Sequence, residues 1–448
     1  MAEDTHTKPV RVRFAPSPTG YLHIGNARTA LFNYLFARHH NGQYVVRIED
    51  TDLMRSKHMY VSAIKDALSW LSLESDEPLI FQSERTDLYK QHIEQLLDTG
   101  AAYWSDPATE EKGTSVVRFR VPREHSTLTF DDLIHGSLSI QTDQVEDFVI
   151  ARSDGSPLYN FVVVVDDALM KITHVIRGDD HVSNTYKQTL LYQALGYSVP
   201  QFAHLPMILG KSGGRLSKRD AATSVKDYKE MGILPDALCN YLVRLGWSSG
   251  DREIFSRSDM IELFSLEDVN ASNAMFDMDK LSWTNTEYLK GMTAQEIYAY
   301  TKTILGHDLA LTCSDWNIEQ VEKAITLYKE RASLVVQLYD EVVKLYQRPI
   351  RGQLPKELTV TPQTSELLEE VVLRLLALDT VDEATSKATI KQLCKQRGIG
   401  MREVGMPLRY ALTGELQSPS VFALLDTLGA YESIERIRSF VTYIRLHH

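Results

Sequence analysis

The chain is poor in cysteine: Cys239, Cys313 and Cys394 are the only three in 448 residues. They stand too far apart for a metal-ligand or disulfide spacing, which suits a reducing compartment and leaves no zinc expected. Long apolar runs are missing too. The longest, near Phe161 to Val165, is far too short to span a bilayer, so no membrane contact is expected. Residues Met1 to Pro9 are polar and mixed in charge, without the apolar core of a secretory signal, and a cytoplasmic location follows as the expectation. An excess of positive charge is also absent, since 48 Lys+Arg stand against 60 Asp+Glu for a net charge of −12. That sum argues against a nucleic-acid partner, yet binding follows where cations cluster and not their total. No repeat period or low-complexity segment stands out.

What is present is a globular composition, 43% hydrophobic and 24% charged, in a chain long enough for two to four domains. Val10 to Ala15 has apolar residues at alternate positions and breaks at Pro16, which predicts a strand that stops abruptly. Ala27, Ala30, Leu31, Tyr34 and Leu35 recur at helical spacing from Asn26 to about His39, with Asn26 expected as N-cap. Asn41-Gly42 ends that helix, and Tyr44 to Ile48 reads as a second strand. Such a βαβ unit implies a parallel pair with a right-handed crossover, and ligands then lie outside the carboxyl ends of the strands. Arg13, Glu49, Asp50 and Asp52 are all directed toward that crevice.

The loop between strand and helix has the chemistry of a phosphate site. Pro16, Pro18 and Gly20 define a tight path, and Gly25 admits close backbone approach. The helix start offers N–H groups and a positive dipole end. His23 stands where it can donate to a phosphoryl oxygen. Far downstream, Gly210-Lys211-Ser212 imitates a P-loop but lacks its first glycine, because position 205 is Leu205. What remains is a glycine-bearing loop followed by Arg215, Lys218 and Arg219, cations suited to a triphosphate and its leaving pyrophosphate.

Between these stretches, Ser153-Asp154-Gly155-Ser156 predicts a hairpin turn joining strands Phe148 to Ala151 and Tyr159 to Val165. Ile172 to Ile176 is apolar and leads into Arg177-Gly178-Asp179-Asp180-His181. Zinc spacing is absent there, and Arg177 suits an anion because its planar fork matches a carboxylate. The last part of the chain is helical. Ile318, Val321, Ile325 and Tyr328 follow one helical face, and Leu368, Val371, Val372 and Leu375 another. Ser418-Pro419 is expected to open a further helix and Gly429 to close it. Lys391, Lys395, Arg397, Arg402 and Arg409 stand against the single acid Glu403, a local basic patch that the total charge hides.

Arg13 to Asn26, Arg47 to Asp52, Tyr159-Asn160-Phe161, Arg177 to His181 and Arg215-Leu216-Ser217-Lys218-Arg219 resemble bacterial glutamyl-tRNA synthetase. The first and last of these resemble the two signature sequences of class I aminoacyl-tRNA synthetases. The similarity continues through Leu281 to Asn285 and Pro407 to Gly414, so it covers essentially the whole chain.

The resemblance implies a multi-domain fold: an α/β Rossmann-like parallel-sheet catalytic domain with an inserted α+β acceptor-binding domain, then an all-α helical anticodon-binding region. The boundaries it suggests are 1–225 for the catalytic domain with the insertion at about 81–175, 226–310 for a stem-contact domain, and 311–448 for the anticodon-binding domain. It implies ATP with Mg2+ as cofactors, L-glutamate and tRNA as partners, and a monomer. Glutamate attacks the α-phosphate of ATP to give glutamyl-adenylate, and the acyl group then passes to the end of tRNA.

By the same resemblance His23 and Lys218 are catalytic and stabilise the transferring phosphoryl group. Pro16, Gly20, His23, Gly25, Asn26, Asp180, Arg215, Leu216, Ser217, Lys218 and Arg219 bind ATP. Arg13, Ala15, Ser17, Glu49, Tyr159 and Arg177 bind glutamate, with Glu49 on the ammonium, and Arg409 contacts a tRNA base. Three departures from the family pattern stand out. Arg215 replaces lysine, Asp179 replaces glutamate, and Tyr103-Trp104 leads almost directly to Val116-Val117-Arg118-Phe119 where many relatives carry a longer insertion. That shortening leaves open charging of tRNA-Gln in place of tRNA-Glu. A paralogue that only binds tRNA should have lost His23 or Lys218, and both are present.

Overall fold

The computed structural model describes residues 9–447 apart from 52–55, 108–113, 124–126, 215, 217–222, 351 and 353. The chain divides into two compact units, Met1–Thr284 and Asn285–His448. In the first unit, β1 (Arg11–Phe14), α1 (Ile24–His39) and β2 (Gln43–Ile48) form the expected βαβ unit. β1 and β2 run parallel with Arg13 opposite Val45. The helix starts earlier than its apolar spacing suggested. His23, and not Asn26, is the N-cap, with its ring Nδ1 accepting from the Gly25 N–H at 3.1 Å. An imidazole on extended backbone serves the cap position as an amide would, and periodicity alone does not reveal that. The helix ends as expected at Asn41, which turns the chain at φ 52°.

The chain continues through α2 (His58–Trp70), β3 (Ile80–Phe81), α3 (Thr86–Asp98), β4 (Ala102–Trp104) and β5 (Val117–Phe119). Next come β6 (Thr127–Asp132), β7 (Gly136–Gln141) and β8 (Phe148–Ala151). β4, β5 and β8 make a small antiparallel sheet of their own. After it the expected strand over Tyr159 to Val165 is a helix instead, α4 (Tyr159–Leu169). Val162 to Val165 are buried on every side, so the run has no period to distinguish strand from helix. A helix pairs its own backbone groups and needs no neighbouring strand in that apolar interior, and this outweighs the β-branched preference.

Then follow β9 (His174–Gly178), α5 (Val182–Ala194) and β10 (Gln201–Leu205). The principal sheet has the order β3-β2-β1-β9-β10-β6-β7, parallel throughout except for the β6–β7 hairpin at its edge. That hairpin falls inside the stretch 81–175 expected as an insertion, and it extends the catalytic sheet beside β10. The core beneath it joins Phe161, Val164 and Val165 to Phe119, Phe130, Ile150 and Phe202. The unit closes with β11 (Ile208–Leu209), α6 (Val225–Glu230), α7 (Pro235–Arg244), α8 (Arg257–Leu263), β12 (Ala274–Met275) and the start of α9 (Met278–Gly291).

Among its described residues the second unit is helical beyond α9. It holds α10 (Ala294–Thr303), α11 (Leu309–Thr312), α12 (Ile318–Tyr328), α13 (Val335–Tyr346) and α14 (Pro362–Leu376). α15 (Glu383–Arg397), α16 (Met401–Thr413) and α17 (Val421–His447) complete it. Val321, Ile325 and Tyr328 are buried on α12, and Leu368, Val371, Val372 and Leu375 on α14, as their spacing predicted, whereas Ile318 in the first turn of α12 is exposed. The last helix begins at Val421, where the Leu424 N–H reaches the Ser420 carbonyl, so Ser418-Pro419 precede it and do not cap it. Gly429, at φ 75° and ψ 170°, breaks α17 where a stop was expected.

Candidate active site

Parallel strands leave their C-terminal ends, and the loops that follow, on one edge of the sheet. There β1, β9, β10 and the loops after them enclose a cavity of about 450 Å3. Most of the residues picked from sequence line it: Arg13, Ala15, Pro16, Ser17, His23, Gly25, Asn26, Glu49, Tyr159, Arg177, Asp180 and Leu216. Gly20 does not, and a Cβ there would meet nothing within 4 Å, so a close approach does not explain that glycine. Arg215, Ser217, Lys218 and Arg219 lie outside the described residues. The chain on either side of them is anchored at the cavity. Leu216 lines it, and beyond the gap the Ile24 N–H bonds the Thr223 carbonyl while the Val225 N–H bonds Leu22. The first signature segment is therefore paired through its backbone to Thr223–Val225, the stretch that follows the second in sequence.

His23 Nδ1 accepts from Gly25, so the neutral ring carries its proton on Nε2, the nitrogen left to act on a ligand. Burial lowers the ring's pKa and favours that neutral form. Two N–H groups of the first helical turn are already committed, Ile24 to Thr223 and Gly25 to His23.

The floor of the cavity is an ion-pair cluster that sequence reasoning missed. Arg13 Nε stands 3.2 Å from both Asp167 oxygens, and Arg47 Nη1 lies 2.6 Å from Asp167 Oδ1. Arg47 also reaches Glu49 at 3.1 Å, while Asp166 accepts from Arg85 Nε, Gln82 and the Tyr89 hydroxyl. Asp167 is buried, which alone would raise its pKa, but Arg13 and Arg47 outweigh that and hold the carboxyl below its ordinary value. Burial pushes the Glu49 carboxyl above its ordinary value despite Arg47, and a cationic ligand group beside it would pull it back down. The only sequence signal for this cluster was a pair of aspartates closing a valine run.

The opposite wall is different. Arg177 Nε donates to His204 Nε2 at 3.1 Å, and its Nη2 donates to Thr185 Oγ1 at 2.7 Å and to the His181 carbonyl at 3.3 Å. All three acceptors are neutral. Nη1 is buried with no hydrogen-bond partner among the described residues. Burial lowers the pKa of this guanidinium, as expected of a cation without a counter-ion. Tyr159 stands nearby, its hydroxyl 3.3 Å from His181 Nδ1 and its pKa pushed up to about 12, by burial first and then by Glu49.

Arg28, buried on α1 and also missed in sequence, reaches the Pro206 and Leu245 carbonyls and ties the cavity rim together. Among the described residues no three His, Cys, Asp or Glu side chains stand together as metal ligands. No described helix is long and apolar enough to cross a membrane. In the helical unit, Arg409 Nη1 donates to the Ser418 carbonyl and hydroxyl and to the Pro419 carbonyl, which fastens the segment entering α17. Of its basic neighbours, Lys391, Lys395 and Arg402 are exposed, and Arg397 is paired to Glu370.

The catalytic-domain family described as tRNA synthetases class I (E and Q) matches residues 9–114 and 104–283, and an anticodon-binding domain family matches 294–441. The first match breaks where the stretch after Trp104 reads as shortened. A protein of Trichlorobacter lovleyi named glutamate--tRNA ligase is 43% identical, covering 97% of this chain and 99% of its own length. Its alignment of 471 positions exceeds the 448 residues here, so the relative has residues that this chain lacks. A Syntrophus aciditrophicus protein named glutamate--tRNA ligase 1 is 43% identical, with 98% of each chain covered. The crystal structure of a glutamate tRNA ligase from Elizabethkingia meningosepticum, in complex with its amino acid, superposes with a TM-score of 0.87 at 33% identity, covering 98% of this chain and all of that one.

Proposed function

This chain belongs to the class I tRNA synthetases for glutamate and glutamine, and from that membership we propose that it joins L-glutamate to the 3′ end of tRNA-Glu through a glutamyl-adenylate. The observation that carries the choice of amino acid is Arg177 Nη1, a buried cationic donor with no partner among the described residues, in the same cavity as the His23 helix start. A side-chain carboxylate satisfies that donor and its charge. A carboxamide offers no charge and a competing donor, so glutamine is rejected.

In this reading the carboxylate of the substrate side chain lies on Arg177, with Arg13 completing the pocket and Glu49 receiving the ammonium. Tyr159 closes it, beside Ala15 and Ser17. The α-carboxylate then faces ATP at the start of α1, where His23 Nε2–H donates to the phosphoryl oxygen as charge builds. Pro16, Gly20, Gly25, Asn26, Asp180 and the segment Arg215 to Arg219 hold the nucleotide, with Lys218 on the leaving phosphates. Mg2+ would arrive with ATP and neutralise its phosphates, and the carboxylates lining the cavity are Glu49, Asp179 and Asp180. We assign the acceptor-end insertion to about 81–175, the stem-contact domain to 226–310 and anticodon reading to 311–448, with Arg409 on a base through Nε and Nη2. The exposed Lys391, Lys395 and Arg402 support an RNA contact there. We take the protein to act in the cytoplasm as a monomer.

Purified protein with Mg·ATP should charge tRNA-Glu with L-glutamate, should leave it uncharged with L-glutamine, and should charge tRNA-Gln far less. Absence of glutamylation on both tRNAs overturns the reading.

A further inference from the structure

Arg177 is held by a chain of side chains drawn from three neighbouring strands. Asp132 ends β6, His204 lies in β10 and Arg177 in β9, with Asp132 and His204 completely or nearly completely buried. Asp132 Oδ2 stands 2.6 Å from His204 Nδ1 and accepts its proton. The same carboxylate also accepts from the backbone N–H groups of Ile134, His135 and His204, so it stays ionised in a dry interior. With Nδ1 protonated, His204 Nε2 presents a lone pair, and the Nε–H of Arg177 donates to it at 3.1 Å. Thr185 and the His181 carbonyl hold Nη2. A planar guanidinium fixed at two of its nitrogens has its plane set, and Nη1 is the corner left over.

We propose that Asp132 and His204 are positioning residues for amino-acid recognition: Asp132 sets the tautomer of His204, and His204 aims the unpartnered corner of Arg177 at the substrate's side-chain carboxylate. The inference rests on the glutamate reading of the cavity. It also gives the β6–β7 hairpin a part in the pocket, through Asp132. A carboxylate partner in place of His204 would hold Arg177 equally well and cancel the charge that the substrate needs. A neutral acceptor orients the cation without neutralising it.

Acid should break the arrangement. Protonation of Nε2 removes the acceptor and places a second cation against Arg177. The charged or titratable groups facing His204 are Asp132 from β6, His135 from the β6–β7 turn and Arg177 from β9. Burial lowers the ring below its ordinary 6.5, so the change lies on the acid side of that value.

The test is steady-state aminoacylation by the full-length protein, with the KM for glutamate and for ATP measured between pH 5 and pH 8. His204→Phe removes the acceptor at nearly constant size and should raise the glutamate KM about 10- to 100-fold, the loss expected for a hydrogen bond to a charged group, with the ATP KM nearly unchanged. His204→Gln keeps an acceptor within reach of Arg177 Nε and should recover most of that loss. The wild-type glutamate KM should climb as pH falls below 6.5, and that climb should vanish in His204→Gln. An unchanged glutamate KM in His204→Phe overturns the proposal, as does an equal rise in both KM values. If His204→Phe does not fold, identical pH profiles for wild type and His204→Gln overturn it alone. Failure of the unaltered protein to use glutamate at all would remove the reading of the cavity instead, a result that cannot be confused with the others.

Discussion

Arg13 and Arg177 reach the same cavity from the neighbouring strands β1 and β9, both buried, and they differ in what stands behind them. Behind Arg13 are Asp167, Arg47, Asp166 and Glu49, an ion-pair cluster in which each charge has an opposite within 3.6 Å. Behind Arg177 are an imidazole, a hydroxyl and a carbonyl, and no carboxylate among its hydrogen-bond partners. The first arrangement pairs its charges within the folded chain. The second leaves one guanidinium nitrogen unpaired among the described residues. The comparison separates a buried arginine whose charge is paired within the fold from one whose charge is not.

Removing Asp167 is expected to have the largest effect. Asp167→Ala leaves Arg13 and Arg47 as buried cations short of a partner and should cost about 3–5 kcal/mol in urea unfolding. The pH dependence should change with it. Arg13 and Arg47 hold the folded-state pKa of Asp167 below its ordinary 3.8, so its contribution is present above that value and lost as pH falls through the lowered one. The variant should lack that acid limb. A loss below about 1 kcal/mol would show that the floor does not depend on the pair.

Arg177→Met should behave in the opposite way. It removes a cation with no counter-ion, so the unfolding midpoint should hold or rise, while glutamate-dependent turnover falls about 100-fold. A variant that loses stability as much as Asp167→Ala would erase the distinction between the two walls. The smallest effect expected is that of Tyr159→Phe, which deletes a 3.3 Å contact to His181 and should raise the glutamate KM about two- to tenfold. A larger loss than that of Arg177→Met would move substrate selection from the arginine to the tyrosine.

Much of this site is legible along the chain, because its first loop is built from residues with strong local meaning. A strand cut by Pro16, a histidine and glycine ahead of an apolar helix, and Arg177 at the end of an apolar run each announce a strand end or a helix start. What stayed hidden has little local signature. Asp132 and His204 are 72 positions apart, and Arg13 and Asp167 are 154 apart. A lone polar residue in an apolar strand says that a partner exists and not which one. Burial on all sides likewise erased the period of Val162 to Val165, so a helix read as a strand. The His23 cap was missed because its acceptor is a ring nitrogen, where the usual signals are Ser, Thr, Asp and Asn.

The sequence by itself determined that a βαβ unit carries a proline- and glycine-bearing loop ahead of His23, and that a helical, locally basic unit follows. These are matters of short-range spacing and steric preference, which the chain carries with it wherever it folds. Only the tertiary structure decided which of two buried arginines is neutralised and which is left open. That depends on which strands lie side by side, and on whether a carboxylate or an imidazole is the group that the neighbour presents.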